Sequence, residues 1–218
     1  YYAPQAFIDE AGRRICFGWL LEGRTPEAFA AAGWAGVQSL PRMLSLDANG
    51  GLVQRPIPEL ETLRTAHEEV AAGLWTGRRE LDIAGTGLEI DLALEFKGAE
   101  EAGLELLATP DGTERTTILY DCGRGVLAMD TRRASLGDGF EGRLSEAPLA
   151  LAKGTLRLRV FIDRSVIEVF ANDRICMTGR AYPTRDDAMG LALVSNKGTA
   201  MLRSMDIWGM ASIWSSRD

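Results

Sequence analysis

Residues 155–183 constrain the fold more than any other part of this chain. Over the first eight of them, every second position is a branched aliphatic residue, and these positions are Leu156, Leu158, Val160 and Ile162. A period of two places one face of a β-strand in a core and the other face near water. Residues 163–165 and 171–173 then interrupt the apolar pattern with short polar breaks, which are typical of tight turns. The stretch predicts three antiparallel strands in a meander.

A ribbon of three strands cannot bury its apolar face alone, so a second sheet has to cover it. Material for that sheet is plentiful after Gly73, where strand-like stretches are separated by Gly, Pro and Asp. These stretches are residues 79–83, 88–96, 104–109, 116–121, 126–131 and 190–207. Their spacing fits two packed antiparallel sheets. We therefore expect residues 74–218 to form an antiparallel β-sandwich.

Residues 1–58 predict a separate, smaller sheet of four antiparallel strands. The expected strands are residues 2–9, residues 13–20, a third strand made of residues 35–40 and 43–46, and residues 52–55. A short helix is expected inside this segment, with Thr25 as N-cap, Pro26 at the first helical position and Gly33 as the stop. A sheet of this size has too small a core to stand alone, which is typical of one propeller blade that packs against neighbouring blades. We call this segment the blade.

Residues 59–73 change period and predict a short helical linker between the blade and the sandwich. Leu60, Leu63, His67 and Val70 fall at helical spacing on one face. His67 is interpreted as an interface or core residue rather than a catalytic one, because no Ser, Cys or carboxylate motif accompanies it. The predicted fold is thus all-β, with one helical connection.

Charge and cysteine usage exclude several classes of function. The net charge of −7 gives no electrostatic basis for binding phosphate backbones or anionic lipid, and no apolar run is long enough to cross a bilayer. We expect neither nucleic acid nor membrane as a partner. Cys16, Cys122 and Cys176 have neither metal-ligand nor disulfide spacing and are expected to be buried free thiols. No metal or cofactor is predicted.

Two carboxylates in the meander are the most obvious catalytic candidates. A two-residue turn would place Asp163 and Glu168 on one face, about 5 to 8 Å apart, and retaining glycosidases use two carboxylates about 5 to 5.5 Å apart. The same register places Arg157 and Arg159 on that face. Charge pairing on a solvated strand face is therefore the favoured interpretation, with catalysis as the alternative.

Aromatic residues are the other candidates for a site. Tyr1, Tyr2, Trp19 and Trp34 all lie in the small blade segment, where few positions could bury them. Aromatic faces stack on the C–H faces of sugars, so a saccharide site is a hypothesis as good as packing for these four. Trp75, Trp208 and Trp214 are expected in the core or at a domain interface.

Short motifs spread over nearly the whole chain carry a family resemblance. In chain order they are Tyr2-Ala3-Pro4-Gln5 before Phe7, Gly12-Arg13-Arg14-Ile15 before Gly18-Trp19, Trp34-Ala35-Gly36 with Ser39-Leu40-Pro41-Arg42, Pro58-Glu59-Leu60 with Leu63-Arg64, and residues 158–172. Together they resemble the C-terminal portion of glycoside hydrolase family 32, the β-fructofuranosidases. Met43 departs from the pattern, since the family often has Glu after the Pro-Arg pair.

The resemblance implies the last blade of a five-bladed propeller joined to a C-terminal sandwich. It also implies a fructose-containing saccharide, sucrose or fructan, as the ligand of the intact enzyme, and Trp19 and more weakly Tyr2 as residues at the rim of the fructose pocket. The remaining propeller blades, on the same or another chain, would then be partners of this chain. Because it starts at Tyr1 rather than Met, we expect it to begin inside a longer polypeptide or to follow a cleavage.

The same resemblance implies what this chain lacks. Catalysis in the family is retaining, with an Asp nucleophile in a Trp-Met-Asn-Asp-Pro-Asn-Gly-like motif, a stabilising Asp in Arg-Asp-Pro and a Glu acid/base in Glu-Cys. None of these motifs occurs in the 218 residues, so no catalytic residue is assigned and the chain alone is predicted to be inactive. Three functions stay open: a pocket wall and support within a fructosidase, a stand-alone carbohydrate-binding sandwich, and a compact hydrolase that uses Asp163 and Glu168.

Overall fold

The blade forms as a small antiparallel sheet in the computed structural model of the chain, which describes residues 1–214. Its strands are β1 (Tyr2–Ile8), β2 (Arg14–Leu20), β3 (Val37–Gln38), β4 (Arg42–Leu46) and β5 (Leu52–Pro56). They are ordered β1-β2-β4-β5, with β3 paired to the end of β2. The expected third strand is thus divided into β3 and β4 around Pro41, which has no N–H to donate to a ladder.

The predicted helix of the blade is present as α1 (Pro26–Ala32). The Thr25 side chain accepts a hydrogen bond from the Ala28 N–H at 3.3 Å, and Gly33 ends the helix in the left-handed conformation with φ 76°. Both ends of α1 confirm the capping residues that the sequence predicted.

The linker is helical over only part of its predicted length. Pro58–Leu63 form a 3₁₀ helix, and Arg64–Glu69 then form strand β6. The prediction of helix beyond Leu63 is wrong, because these residues pair with the distant C-terminal strand, where Trp208 lies opposite His67. Tertiary pairing overrides a local helical pattern of this kind. His67, expected at an interface or in the core, is instead 47% exposed: its ring stacks on Trp208 with the centroids 5.0 Å apart, and its Nε2 lies 2.8 Å from Asp206 Oδ1.

The sandwich contains the remaining strands, which follow in order without a further α-helix in the described residues. They are β7 (Gly73–Ala84), β8 (Gly87–Lys97), β9 (Glu101–Ala108), β10 (Thr116–Asp121), β11 (Val126–Asp130), β12 (Leu144–Pro148), β13 (Thr155–Asp163), β14 (Val166–Ala171), β15 (Ile175–Arg180) and β16 (Gly190–Met210), with a 3₁₀ turn at Ala152–Gly154. Strands β13, β14 and β15 are the predicted meander.

Strand β16 joins the two layers of the sandwich, because its first half belongs to one layer and its second half to the other. Its first half pairs with β9 and β7, and its second half pairs with β8 and β6. One layer is completed by β10, β11 and β12, and the other by β13, β14 and β15. The core lies between them and contains the alternating residues of β13, all four of which are buried. The fold is therefore all-β, with a blade and a sandwich.

Several expected environments differ in the structure. Phe161, expected on a solvated face, is buried with Phe170 and Leu60 because the blade and linker cover the outer face of β13 and β14. Cys16 is buried, but Cys176 is half-buried and Cys122 exposed, although all three are free. Trp75 is buried in the core, whereas Trp214 is 79% exposed and the expectation for it is wrong. Among residues 1–214 none of the helices could span a bilayer, since even α1 has only seven residues.

Candidate functional site

Two of the sequence-predicted site residues meet on the surface of the blade. Tyr2 of β1 and Trp19 of β2 are direct cross-strand partners, and their rings meet edge to face with centroids 6.2 Å apart. Tyr2 is 60% exposed and Trp19 is 47% exposed. Edge-to-face contact holds the two rings in a fixed relation while leaving aromatic surface free to stack on a ligand. We call these two residues the aromatic pair.

The indole of Trp19 lies against the loop that follows α1. Gly36 in this loop has φ +67°, and a Cβ built on it would overlap the indole Nε1 of Trp19. Glycine is required here both for the left-handed backbone and for the close approach of the ring. The backbone of Trp19 also pairs with that of Gln38 in β3. The backbone of Trp19 is thus held by β3, and its indole is bounded by the backbone of Gly36.

Tyr1 packs against the blade with part of its ring, although the residue is 43% exposed. Its ring lies over Gly18, where a Cβ would overlap it, and the Arg42 guanidinium carbon is 4.0 Å from its ring centroid. Burial, together with a hydrogen bond to the Cys16 thiol, raises the pKa of the Tyr1 hydroxyl to about 12. Of the four tyrosine and tryptophan residues of the blade, Tyr1 therefore contributes to stability.

Trp34 belongs to a joint between the blade and the sandwich. The Arg24 guanidinium carbon lies 4.2 Å from the Trp34 ring centroid and 4.8 Å from that of Tyr182. Arg24 is also paired with Glu22 at 2.8 Å, and Glu22 accepts a short hydrogen bond from the Tyr182 hydroxyl. We call the cluster of Glu22, Arg24, Trp34, Arg180 and Tyr182 the joint.

The two carboxylates proposed for catalysis lie in different environments. Asp163 is exposed at the turn, directly opposite Val166 as predicted. Glu168 is buried and pairs with the blade, accepting hydrogen bonds from Arg42 Nη2 at 2.7 Å and Leu40 N at 2.5 Å. Burial raises the pKa of Glu168, although Arg42 and the Leu40 amide oppose this shift. A substrate has no access to this carboxylate.

Glu168 is paired with a cation as expected, but the cation is not one of the two arginines that the sequence predicted. The cation beside Glu168 is Arg42 of the blade, and Arg159 is instead bound to Glu89 at 2.6 Å. The face is covered by the blade rather than solvated, and the geometry does not support a hydrolase that uses Asp163 and Glu168. Among residues 1–214 no group of three or more His, Cys, Asp or Glu side chains could hold a metal ion.

A cleft of about 670 Å³ lies between the blade and the sandwich. It is lined by charged groups, of which Arg55 and Asp173 are paired across the two units at 2.6 Å, and Phe170 is the aromatic residue in its wall. Charged pairs and little aromatic surface make this cleft a poorer sugar site than the exposed aromatic pair.

Sequence reasoning missed the residues that support the aromatic pair. The sequence could have pointed to Gly36, because it follows Trp34 in a short motif. It could also have pointed to Glu22 and Arg24, because they are opposite charges at the end of a buried strand. It could not have pointed to Tyr182, since this residue is 160 positions from Glu22. Its role depends wholly on tertiary contact.

Two family models match the chain. Residues 1–56 match the glycosyl hydrolases family 32 N-terminal domain, and residues 59–209 match the glycosyl hydrolases family 32 C-terminal model. Among curated proteins, the chain is 35% identical to a sucrose-6-phosphate hydrolase of Escherichia coli over 212 residues, covering 95% of this chain and 42% of the relative. It is 30% identical to a fructan 1-exohydrolase of Bromus pictus over 251 residues, covering 93% of this chain and 41% of the relative.

The fold also matches solved structures. Fructan 1-exohydrolase IIa from Cichorium intybus superimposes with a TM-score of 0.87 at 24% identity, covering 97% of this chain and 48% of that one. A sucrose-6-phosphate hydrolase from Lactobacillus gasseri superimposes with a TM-score of 0.78 at 24% identity, covering 98% and 42%. The chain spans about four tenths of the length of the curated relatives it matches.

Proposed function

The chain belongs to glycoside hydrolase family 32, and from this premise we propose that it supplies one wall of the fructose pocket, and the structural support for it, in a retaining β-fructosidase that acts on sucrose or fructans. The observation that carries this proposal is the exposed aromatic pair, Tyr2 and Trp19, held edge to face on the surface of the blade. The names of similar proteins support the substrate class, since they include a sucrose-6-phosphate hydrolase, an acid beta-fructofuranosidase and fructan 1-exohydrolases.

The chemistry of the aromatic pair suits binding and orientation. An indole offers an apolar face to the C–H bonds of a furanose ring, and its N–H can donate a hydrogen bond. Neither Trp19 nor Tyr2 carries a group suited to protonating a leaving oxygen or attacking an anomeric carbon. The acids for a retaining reaction therefore have to come from other polypeptide, and this chain alone is expected to hydrolyse no fructoside.

The open surface of the blade supports the proposal that further blades cover it. Every residue of β1 is exposed, and among the described residues β1 pairs only with β2. Phe7 on this strand is 52% exposed and stacks on Phe17 with ring centroids 6.5 Å apart. Exposed apolar residues grouped in this way are typical of an interaction site, and blades of a propeller bury such residues against one another. The proposed partners are the remaining propeller blades, on the same or another chain.

The sandwich is proposed to act as a support for the blade. Its strand β14 presents Glu168 to Arg42, and its loops present Asp173 to Arg55 and Tyr182 to Glu22. The blade is thus fastened to the sandwich through the cluster of Leu60, Phe161 and Phe170 and through the two ion pairs. Such a contact would fix the blade against movement while a substrate binds.

The test compares the chain alone with the chain in a polypeptide that includes the preceding blades. Fructose release is measured from sucrose, sucrose 6-phosphate and inulin. We expect release from the longer polypeptide only, and Trp19→Ala should lower its kcat/KM about 5- to 30-fold, which corresponds to about 1 to 2 kcal/mol of lost stacking. Trp214→Ala, an exposed tryptophan outside the blade, is the matched control and should have no effect.

Fructose release by the 218-residue chain, or an unaffected Trp19→Ala enzyme, would overturn the proposal. Calorimetry of the chain alone with inulin oligosaccharides distinguishes the proposed function from the alternative of a stand-alone carbohydrate-binding module. That alternative requires tight binding by the chain alone, without any hydrolysis in the longer polypeptide.

A further inference from the structure

The carboxylate of Glu22 connects the sandwich to the loop that seats Trp19. Its Oε1 accepts hydrogen bonds from Gly23 N at 2.9 Å, from Arg24 Nε at 3.0 Å and from the Tyr182 hydroxyl. Its Oε2 accepts from Arg24 Nη2 at 2.8 Å and from Gly36 N at 3.2 Å. One side chain therefore holds a residue of the sandwich, Tyr182, and a residue of the blade loop, Gly36.

Gly36 in turn contacts the indole of Trp19, one of the two residues of the aromatic pair. The indole nitrogen of Trp19 lies so close to the Gly36 Cα that even a methyl group would not fit between them. A shift of the Gly36 backbone by a few tenths of an ångström would thus open or close the space in which the indole lies. The path runs from Tyr182 through Glu22 and Gly36 to Trp19.

The charges in the joint make the Glu22 contact strong. The Glu22 side chain is 9% exposed and that of Arg24 12%. Burial alone would raise the pKa of Glu22, but hydrogen bonds from Arg24, Tyr182 and the amides of Arg24 and Gly36 outweigh burial and hold the pKa well below its usual range. Burial and the hydrogen bond to Glu22 raise the pKa of Tyr182 to about 12. At neutral pH a neutral hydroxyl therefore donates to a carboxylate, which is a charge-assisted hydrogen bond.

The Tyr182 ring is itself held from the sandwich side. The Arg180 guanidinium carbon lies 5.0 Å from its ring centroid, and Arg180 Nη2 donates to Ser165 Oγ at 2.9 Å. Phe140 contacts the same ring edge to face at 5.4 Å. Two side chains of the sandwich thus fix the direction from which the hydroxyl reaches Glu22.

We propose that Glu22 and Tyr182 are positioning residues for Trp19, through which the sandwich sets the orientation of the indole in the pocket wall. The inference rests on the proposed function for the meaning of Trp19 as a pocket residue. The contact path from Tyr182 to the indole does not depend on that function. The sandwich then acts on substrate binding without touching substrate.

The test uses the chain labelled with 5-fluorotryptophan, which gives one ¹⁹F resonance for each of the five tryptophans, and Trp19→Phe assigns the resonance of Trp19. We expect Tyr182→Phe, which removes one hydroxyl, to shift or broaden the Trp19 resonance, and Glu22→Gln to do the same. The Trp34 resonance should move as well, since Trp34 lies in the joint, while that of the core residue Trp75 should not.

Tyr120→Phe is the matched control. It removes a buried hydroxyl from the same sandwich, where Tyr120 donates to Leu149 O at 2.9 Å, but it does not touch the joint. A general loosening of the sandwich would affect the Trp19 resonance in both tyrosine variants, whereas a positioning role affects it only in Tyr182→Phe. An unchanged Trp75 resonance shows that each variant is folded. If Glu22→Gln fails to fold, the comparison of the two tyrosine variants decides.

The same variants in the longer polypeptide separate this inference from the proposed function. We expect Tyr182→Phe to raise KM for a fructoside about 3- to 10-fold with a smaller effect on kcat, and Tyr120→Phe to leave both unchanged. A Trp19 resonance that stays in place in Tyr182→Phe overturns the inference, whatever the kinetics show. A displaced Trp19 resonance with unchanged kinetics leaves the contact path in place and overturns the role of Trp19 in the pocket.

Discussion

Glu168 of the sandwich and Arg42 of the blade form a buried ion pair, with Oε2 and Nη2 2.7 Å apart and side chains only 1% and 5% exposed. The two residues are 126 positions apart in the chain. Because Glu168 also accepts from the Leu40 amide, its carboxylate holds both a side chain and the backbone of the blade. The pair therefore fixes the position of strand β4 on the outer face of β14.

Removal of one partner of this pair should be costly. We expect Arg42→Ala to lower the free energy of unfolding by about 3 to 5 kcal/mol, because Glu168 would be left as an unpaired charge in a buried site. Urea denaturation of the chain measures the loss. Arg55→Ala is the matched control, since Arg55 also pairs with the sandwich, at Asp173, but both side chains are about half exposed. Its cost should stay below about 1 kcal/mol. Equal losses in the two variants would contradict this account of the interface.

The loop under Trp19 should be sensitive to a single methyl group. Gly36→Ala introduces a Cβ at φ +67° that overlaps the indole of Trp19, whereas Gly33 has a similar φ of +76° and nothing within 4 Å of its Cβ position. Gly33→Ala should therefore cost about 1 to 2 kcal/mol from backbone strain alone. Gly36→Ala should cost more and should also raise the quenching of tryptophan fluorescence by acrylamide, because the indole has to move. If the two variants quench alike and unfold at the same urea concentration, the close approach at Gly36 does not hold Trp19.

Acid should weaken the joint through Glu22. The pKa of Glu22 is held below its usual value near 4.5 in the folded chain, so the unfolded chain binds this proton more readily. The stabilisation by Glu22 is therefore complete above about pH 4.5 and is lost progressively as the pH falls below that value. Thermal unfolding from pH 7 to pH 3 checks this prediction. Glu22→Gln should be less stable than the unsubstituted chain at pH 7, and the difference should shrink toward pH 3. A difference that is constant with pH would show that the charge of Glu22 contributes nothing.

Alternation and turn chemistry predicted the local elements of this fold well. The apolar positions of β13, the turn between Asp163 and Val166, and the two ends of α1 all follow from residues within a few positions of one another. Local patterns could not predict which part of the chain packs on the outer face of a strand. Phe161 was expected near water because its strand has a period of two, and that period says which residues share a face but not that the blade packs on it.

Strand pairing between residues far apart in the chain is the other feature that could not be predicted from local sequence. Leu63, His67 and Val70 have helical spacing, yet residues 64–69 are a strand because β16 offers a free edge for them to pair with. In the candidate site, family motifs led to Tyr2 and Trp19, and the structure brings both together. Whether they line a fructose pocket stays a proposal. The residues that support them are joined through Tyr182, whose role depends on a contact 160 positions away.

The open strand of the blade gives a last prediction about assembly. Phe7 lies on β1, which is exposed along its whole length, and further blades are proposed to cover this strand. In the chain alone, Phe7→Lys should therefore leave stability within about 1 kcal/mol and reduce self-association at high concentration, because a lysine breaks the apolar surface. In the longer polypeptide the same substitution should cost about 3 kcal/mol or more, because it removes a buried aromatic ring and buries a charge.

Leu46→Lys is the control for this experiment, since Leu46 is an exposed apolar residue on β4, away from β1. It should have little effect in either polypeptide. Sedimentation velocity measures self-association, and urea denaturation measures stability. If Phe7→Lys is equally mild in both polypeptides, β1 is not covered by further blades, and the blade assignment of residues 1–58 has to be abandoned. If it is costly only in the longer polypeptide, the surface of β1 is one that the preceding blades bury.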